Sequence, residues 1–551
     1  MKLLTKIEMS REFNLEKLVR ENIKSLTPYS SARLEESLKG ALYLDANENP
    51  YNSGYNRYPQ PINYKLKELA ANLYGQKLLP ANIFAGNGSD EAIDLIIRIF
   101  CTPGVDNIIS ISPTYGLYRV AASINGVEYR DTPLGEGYTL CSSTVLQLCD
   151  SQSRVIFLCS PNNPTGNLLE RGEVLKIVEK FNGIVVVDEA YIEFAKEESL
   201  VEELFNFPNL IILRTLSKAK GMAAIRMGFA IASTEIVEYM ERIKYPYNLN
   251  STTQELAIKS LSDKDNSTVA KIVAERERLT SSLEKLEEVV TVFPSDTNFL
   301  LVEFKSAKKT AQMLKECGII VRDRSDTPGC REMLRISVGK SSENSQLLSA
   351  LRGEEVVVHS MGLNFSRITK ESAVNLTLYR GAAELSEIET GIGFLNHMFT
   401  LLAHHWGVGI DLFVKGDLDV DEHHTIEDSA IVLGEAIEKL YRGAKNYRRY
   451  AFVLPMDESR AEVVIDLGGR FAFGWEVNFS TTYVGDFPTQ MFKHFFYSLA
   501  LSGHFALHMS AKGENDHHIA ESLFKAFGRA LRDAMAGSGK DYEIPSSKGL
   551  I

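Results

Sequence analysis

Every histidine in this 551-residue chain, eleven in all, lies at position 359 or later, and both tryptophans (406 and 475) fall in the same stretch. All six cysteines (101, 141, 149, 159, 317 and 330) lie at 330 or earlier. A single fold around one core has no reason to sort residue types this way; two separately built domains joined end to end do. The length agrees, because one hydrophobic core stops growing at roughly 250–300 residues. The join is expected in GEEVVVHSMGLNF, after the helix-like SENSQLLSALR, which sets domains at residues 1–352 and 365–551 with a linker at 353–364. That linker is short and not rich in Gly or Ser, so limited freedom between the halves is expected.

A hydrophobic fraction of 44% and a charged fraction of 24% are those of an ordinary globular protein. The net charge of −12 argues against nucleic acid as partner, while leaving room for small anions held by a local group of cations. The opening MKLLTKIEMSREFN has no apolar core of a secretory signal, and no stretch approaches the ~18 apolar residues of a membrane span. The cysteines form no CxxC pair and are expected as reduced thiols of a cytoplasmic protein.

In the first half VIFLC (155–159), IVVVDEA (184–190) and LIILRTLS (210–217) are continuous apolar runs, the pattern of strands buried on both faces. Helix-like stretches such as RGEVLKIVEKF separate them, so an α/β domain with a mainly parallel sheet is expected, its chemistry gathered beyond the carboxyl ends of the strands. Polar residues stand where the runs stop: Asn163 in SPNNPTG, Asp188 and Tyr191 after IVVV, Ser217 and Lys218 after LIILRTL, then Arg226. AGNGSDEAIDLIIRIF reads as a small-residue turn opening an amphipathic helix, whose first N–H groups can cradle a phosphate. GNGSDE lacks the third glycine of a dinucleotide fingerprint, which rejects that reading. A lysine for an imine, an acid beside a pyridine nitrogen and a phosphate cup together fit pyridoxal phosphate.

In order, NENPY, NRYP, GNGSDE, SPTYGLY, SPNNPTG, VVVDEAYIEF, RTLSKAKGMAAIRMGF, PYNLN and LRISVG resemble a histidinol-phosphate aminotransferase over about residues 10–352. The resemblance implies a fold type I pyridoxal-phosphate domain. It further implies that Lys218 holds the cofactor and shuttles a proton, with Asp188 on the ring nitrogen. Asn163 and Tyr191 are implied at the phenolic oxygen and Tyr115 stacked on the ring. Ser89, Asp90, Ser217 and Arg226 are implied at the cofactor phosphate, joined by Tyr58 from a neighbouring subunit of a dimer. Arg335 is implied as the bidentate partner of the substrate carboxylate and Arg322 as a second anion contact. Aromatic-amino-acid aminotransferases and an aminotransferase-like phosphothreonine decarboxylase share most of these motifs, so they identify the cofactor more sharply than the substrate.

The second half repeats a pattern: DEHHTIED supplies His423, His424 and Glu427, and NDHHIAESLFKA supplies His517, His518 and Glu521, 94 positions on. Both precede apolar-periodic stretches and are expected at helix starts of an internal duplication. Adjacent histidines diverge by about 100° on a helix, so neighbours are expected to serve two different metal ions. Imidazole with carboxylate suits manganese, iron, zinc or nickel. His397 in TGIGFLNHM and His508 in ALHMSAKG join the candidate ligands, with Asn396 orienting His397; His404, His405, His494 and His504 are read as structural or surface residues.

TKES, ETGIGFLNHMF, GDLDVDEHHTIEDSAIVLGEA, PMDES, DLGGR, FFYSLA, LHMSAKGENDHHIAESLFKA and PSSKGL resemble imidazoleglycerol-phosphate dehydratase across about residues 365–551. The resemblance implies a duplicated α/β fold (ribosomal protein S5 domain 2-like) assembled into trimers and a 24-subunit shell, with two Mn2+ per site bound between subunits. His397, His423, His424, Glu427, His508, His517, His518 and Glu521 are the implied ligands. Glu371 of TKES is implied as an acid/base or a substrate contact. Arg470, Lys525, Ser546 and Lys548, with Arg448 or Arg449, are implied at the substrate phosphate. The family usually has Asp where Asn396 stands, Thr where Ser372 stands and Ser where Gly468 stands; none of these removes an implied ligand. The two resemblances fit together, because the dehydratase makes imidazole acetol phosphate and the transaminase consumes it with glutamate. An aminotransferase of aromatic-amino-acid specificity beside an active dehydratase is the alternative.

Overall fold

The computed structural model describes residues 13–27, 44–51, 53–263, 265–354, 362–380, 383, 386–442, 448 and 453–536. Two compact units divide between Val356 and Val357. The second begins its first strand at Leu363, two residues inside the segment expected as linker. All six cysteines are free thiols.

The first unit is built on seven strands: β1 (Ile83–Asn87), β2 (Asn107–Ser112), β3 (Glu128–Pro133), β4 (Ser153–Cys159), β5 (Ile184–Asp188), β6 (Leu210–Thr215) and β7 (Met227–Ile231). They lie in the order β1-β7-β6-β5-β4-β2-β3, parallel except for β7, which runs against both its neighbours. The apolar runs are continuous because each strand feeds two cores. Ile184 and Val186 of β5 enter one apolar layer with Phe157, whereas Val185 and Val187 enter the opposite layer with Ile156 and Leu158. Helices cover both faces; one of them, α1 (Gly88–Phe100), starts directly from the end of β1. A smaller antiparallel sheet follows, ordered β10 (Arg322–Asp323), β11 (Met333–Ser337), β9 (Phe299–Phe304), β8 (Val289–Val292). It brings Arg322 opposite Arg335 in register.

The second unit repeats one topology twice. Strands β12 (Leu363–Ile368), β13 (Ser372–Arg380), β14 (Ile388–Glu389) and β15 (Val408–Gly416) form a sheet in the order β12-β13-β15-β14. Helix α2 (Gly393–Trp406) precedes β15 and α3 (His423–Arg442) follows it. Strands β16 (Val453–Met456), β17 (Ser459–Asp466) and β18 (Ala472–Val477) are then followed by a small pair, β19 (Tyr483–Val484) and β20 (Phe487–Pro488). With β21 (Ala506–Lys512) the larger strands repeat the order as β16-β17-β21-β18, now with α4 (Gln490–Ser502) before β21 and α5 (Asp516–Met535) after it. Both sheets and all four helices share one core, in which Phe399, Phe492, Phe495 and Phe524 are fully buried. Among the described residues no helix is long and apolar enough to cross a membrane.

Candidate active sites

In the first unit the ends of β4, β5 and β6, the start of α1 and the β10–β11 hairpin converge on a cavity of about 430 Å³. Its floor is the turn from β1 into α1. Gly88 takes φ +72° there, in the left-handed region where glycine is at home, and its N–H donates to the Arg226 carbonyl at 2.7 Å. On the facing strand Gly228 is compelled by contact: a Cβ at that position would stand 2.2 Å from the Ser89 nitrogen and 2.4 Å from the Gly88 carbonyl carbon. The free N–H groups that open α1 thus approach β7 closely. Arg226 reaches over them, with Nη2 3.0 Å from Asp90 Oδ2 and Nη1 3.4 Å from Ser217 Oγ. A helix start, a hydroxyl and an arginine make an anion cup.

Lys218 projects from the end of β6 into the same space, its Nζ 5.5 Å from the centre of the Tyr191 ring. Burial, then the Arg335 and Arg226 charges, hold its amine below the ordinary lysine range. Asp188 closes β5 and is 3% exposed. Burial raises its carboxyl to about 6, while hydrogen bonds from the Tyr118 hydroxyl (2.9 Å) and the Ala190 N–H (3.2 Å) oppose the rise. Asn163 donates to the Tyr191 hydroxyl at 3.4 Å and accepts from Arg335 Nη1 at 2.5 Å. The Tyr115 hydroxyl donates to Asp90 at 3.2 Å.

Ser89, Asp90, Tyr115, Asn163, Asp188, Tyr191, Ser217, Lys218, Arg226, Arg322 and Arg335 therefore all line one cavity. Tyr58 does not. It is exposed, stacks on Tyr247 at 4.6 Å and lines a separate depression with Arg57 and Asn250. A fourth arginine, Arg324, also lines the cavity, with its Nε buried and lacking a hydrogen-bond partner among the described residues. The signal for it was present in VRDRS, where two-residue spacing on a strand returns Arg324 to the face of Arg322. The residues fit pyridoxal phosphate: an amine, a buried acid, a phosphate cup and three arginines (Arg322, Arg324 and Arg335) without a carboxylate partner among the described residues share one space.

In the second unit the two HHxxE segments do open helices, α3 and α5, but each meets a histidine from the other half of the duplication. His397 on α2 places Nε2 2.8 Å from Glu521 Oε1, and His517 Nε2 lies 3.3 Å from the same oxygen. His494 on α4 places Nε2 3.1 Å from Glu427 Oε1, and His423 Nε2 lies 3.5 Å from Glu427 Oε2. Each trio could hold a metal ion. His494, read from the sequence as structural or surface, thus stands where a ligand stands. It is the fifth residue of α4 as His397 is the fifth of α2, and FLNHMF and MFKHFF share the FxxHxF-like frame that would have exposed it.

His508 is the converse correction. It alternates on β21 with the buried Leu507 and Met509, so it faces away from the helices that carry the clusters and joins none of the metal-capable groups among the described residues. Asn396 does not orient His397 either; its carbonyl oxygen accepts from the Thr390 N–H at 2.9 Å and the Thr390 hydroxyl at 2.6 Å.

The second histidine of each pair points elsewhere. His424 Nδ1 lies 3.1 Å from both oxygens of Asp417, and His518 Nδ1 lies 2.8 Å from Glu458 Oε2. Those carboxylates raise both histidines above the ordinary range. His518 Nε2 also lies 3.9 Å from Asp457 Oδ2, and Asp457, Glu458 and His518 form a third group that could hold a metal ion. Glu371 is exposed in the β12–β13 hairpin and adds to the field raising His424. Lys525 Nζ lies 2.7 Å from Glu521 Oε2 and 3.0 Å from Met456 Sδ. Burial opposes it, yet hydrogen bonds from Lys525 and His397 hold Glu521 down to about 2. Arg470 is exposed ahead of β18, and the Arg448 N–H donates to the Ala536 carbonyl at 3.0 Å. Ser546, Lys548 and Arg449 lie outside the described residues. The donor set fits a borderline divalent cation. His494 Nε2 is buried, makes no hydrogen bond of its own, and faces a carboxylate oxygen.

Comparison with known proteins matches a different family on each side of that division. A model of the class I and II aminotransferases matches residues 42–351, and one of imidazoleglycerol-phosphate dehydratase matches residues 390–531. The histidinol-phosphate aminotransferase of Parabacteroides distasonis is 50% identical over 341 residues, covering 62% of this chain and 98% of the relative. That of Bacteroides fragilis is 47% identical over 341 residues, covering 61% and 98%. Among solved structures, the histidinol-phosphate aminotransferase of Clostridium acetobutylicum is similar, with TM-score 0.51, 27% identity, and coverage of 54% of this chain and 91% of that one.

Proposed function

The chain belongs to the class I and II aminotransferases and carries an imidazoleglycerol-phosphate dehydratase domain behind that unit, and from this we propose a bifunctional enzyme of histidine biosynthesis. The second unit dehydrates imidazoleglycerol phosphate to imidazole acetol phosphate. The first transaminates that ketone with glutamate, giving histidinol phosphate and 2-oxoglutarate. The observation that carries the proposal is the pairing itself: the product of one matched unit is the substrate of the other, which favours this reading over aromatic-amino-acid specificity.

In the first unit bound pyridoxal phosphate supplies an electron-withdrawing ring that acidifies the substrate carbon. The protein's part is positional. Ser89, Ser217, Arg226 and the start of α1 hold the phosphate; Asp188 faces the ring nitrogen; Asn163 and Tyr191 face the phenolic oxygen; Tyr115 covers one ring face. Lys218, with its amine lowered by burial and by neighbouring cations, is the base that moves the proton at the substrate carbon. Arg335, braced by Asn163, grips the substrate carboxylate, and Arg322 assists with the distal anion.

In the second unit a divalent cation such as Mn2+, held by imidazoles and glutamates, would supply positive charge that makes the substrate imidazole easier to deprotonate. His397, His517 and Glu521 would hold one cation and His423, Glu427 and His494 another; His424 and His518 would serve sites completed by neighbouring subunits. Glu371 transfers protons, and Lys525 with Arg470, Ser546 and Lys548 holds the phosphate. The working particle is a homo-oligomer that joins aminotransferase dimers, where Tyr58 reaches a neighbour's cofactor, to dehydratase trimers of a 24-subunit shell. Its place is the cytoplasm.

The test is coupled turnover by the full chain loaded with pyridoxal phosphate and Mn2+. Imidazoleglycerol phosphate plus glutamate must yield histidinol phosphate. Dehydration followed by transamination of aromatic keto acids alone would establish the alternative, and a chain with neither activity would end both.

A further inference from the structure

Asp188 is a buried acid without an ion pair among the described residues, and the Asp90 and Glu189 charges near it add to the cost of ionising it. Its side chain nonetheless has to be a carboxylate to hold a proton on a ring nitrogen opposite. One group in contact with it can offset that cost with a donated hydrogen bond from a side chain: Tyr118, on the helix Leu117–Ile124. Tyr118 is 0% exposed, stacks on Phe157 at 4.9 Å and meets Tyr115 edge-on at 5.6 Å, so its ring is clamped on two sides. Its hydroxyl ends 2.9 Å from Asp188 Oδ2, while Oδ1 is occupied by the Ala190 N–H. Tyr118 does not line the cavity itself, so its hydroxyl bears on the site through Asp188.

We propose that Tyr118 is a positioning residue that keeps Asp188 ionised by donating to its Oδ2, and thereby keeps the shared proton on the ring nitrogen of pyridoxal phosphate rather than on the carboxyl. The proposal rests on the reading that Asp188 faces that nitrogen. A buried acid–pyridine pair holds one proton between two atoms, and the less basic partner gives it up. A hydrogen bond into the carboxylate lowers its basicity and leaves the proton on nitrogen. Without that bond the proton moves to Oδ2 and the ring turns neutral, which weakens its pull on the substrate carbon. Tyr118 also links Asp188 to Tyr115, so the acid behind the ring and the aromatic residue over it share one support.

The experiment compares holoenzymes of the full chain, wild type, Tyr118→Phe and Asp188→Asn, reconstituted with ring-15N-labelled pyridoxal phosphate. The 15N resonance separates protonated from neutral ring nitrogen. The expected result is a protonated nitrogen in wild type, a shift toward the neutral value in Tyr118→Phe, and a larger one in Asp188→Asn. In parallel, kcat for transamination by Tyr118→Phe falls about ten- to hundredfold, the worth of one hydrogen bond to a charged acceptor, with KM unchanged. A chain carrying 3,5-difluorotyrosine at 118, a stronger donor of the same shape, keeps the protonated signal and covers the case in which Tyr118→Phe fails to fold. If Asp188→Asn shifts the resonance and Tyr118→Phe does not, Tyr118 has no such role and the Asp188 reading stands. If Asp188→Asn leaves the resonance where wild type has it, the reading of Asp188 falls and this proposal with it.

Discussion

Asp188→Asn in the cofactor-free enzyme should stabilise the first unit at alkaline pH, and by an amount that depends on pH in a defined way. Burial raises the Asp188 carboxyl from 3.8 to about 6. An acid whose folded value is raised holds its proton more tightly when folded. Its contribution is therefore fully present below pH 3.8 and is lost as pH climbs through 6. A shift of about two units corresponds to about 3 kcal/mol at pH 8, of which about 1.5 kcal/mol develops between pH 5 and 8. Asparagine removes that loss, but it offers one acceptor where the carboxylate offered two, to Tyr118 and Ala190. One donor is left unsatisfied at about 1 kcal/mol, independent of pH. The variant should gain about 1.5 kcal/mol on wild type as pH rises from 5 to 8, whatever the constant offset. Both tryptophans belong to the second unit, so intrinsic fluorescence would report the wrong half. Pulse proteolysis in a urea series, following loss of the first unit, reads the right one. A stability difference flat across that range, or one that shrinks with rising pH, refutes the reasoning.

Gly228→Ala should fold with native far-UV circular dichroism yet bind pyridoxal phosphate at least tenfold more weakly by fluorescence titration. A Cβ 2.2 Å from the Ser89 nitrogen must push the start of α1 out of the phosphate cup. His494→Ala should abolish dehydration and most Mn2+ binding by calorimetry, whereas His508→Ala should retain both within a few fold; the reverse order would restore the sequence-based ligand set. Asp417→Asn and Glu458→Gln should each weaken Mn2+ binding about 10–100-fold with secondary structure intact, because each frees the ring that its carboxylate orients.

The architecture was readable where one physical demand dominates a segment. A strand buried on both faces must be apolar throughout, so VIFLC, IVVVD and LIILRT announced β4, β5 and β6. A parallel sheet then places their carboxyl-end residues, Asn163, Asp188 and Lys218, around one space. Arg324 and Tyr118 escaped because their roles depend on what faces them across the fold. Arg324 lines the cavity together with Arg335 from the other strand of the hairpin, and Tyr118 reaches an acid 70 residues away. Local pattern holds neither fact.

The metal residues teach a sharper version of the same point. The repeated HHxxE was visible because its members are consecutive on one helix, but a helix start supplies only one side of a site. The other side comes from the helix before the last strand, and the duplication crosses over there: α2 of the first half packs with α5 of the second, and α4 of the second with α3 of the first. Glu521 therefore meets His397 across 124 positions, and Glu427 meets His494 across 67. Neither half can assemble a trio by itself, since each would keep its HHxxE and lose the histidine that answers it. The duplication is thus part of the site and not merely of the fold. Matching only the conspicuous repeat finds four histidines, while carrying the repeat through the whole ββ-β-α-β-α frame finds the fifth and sixth and sets His508 aside.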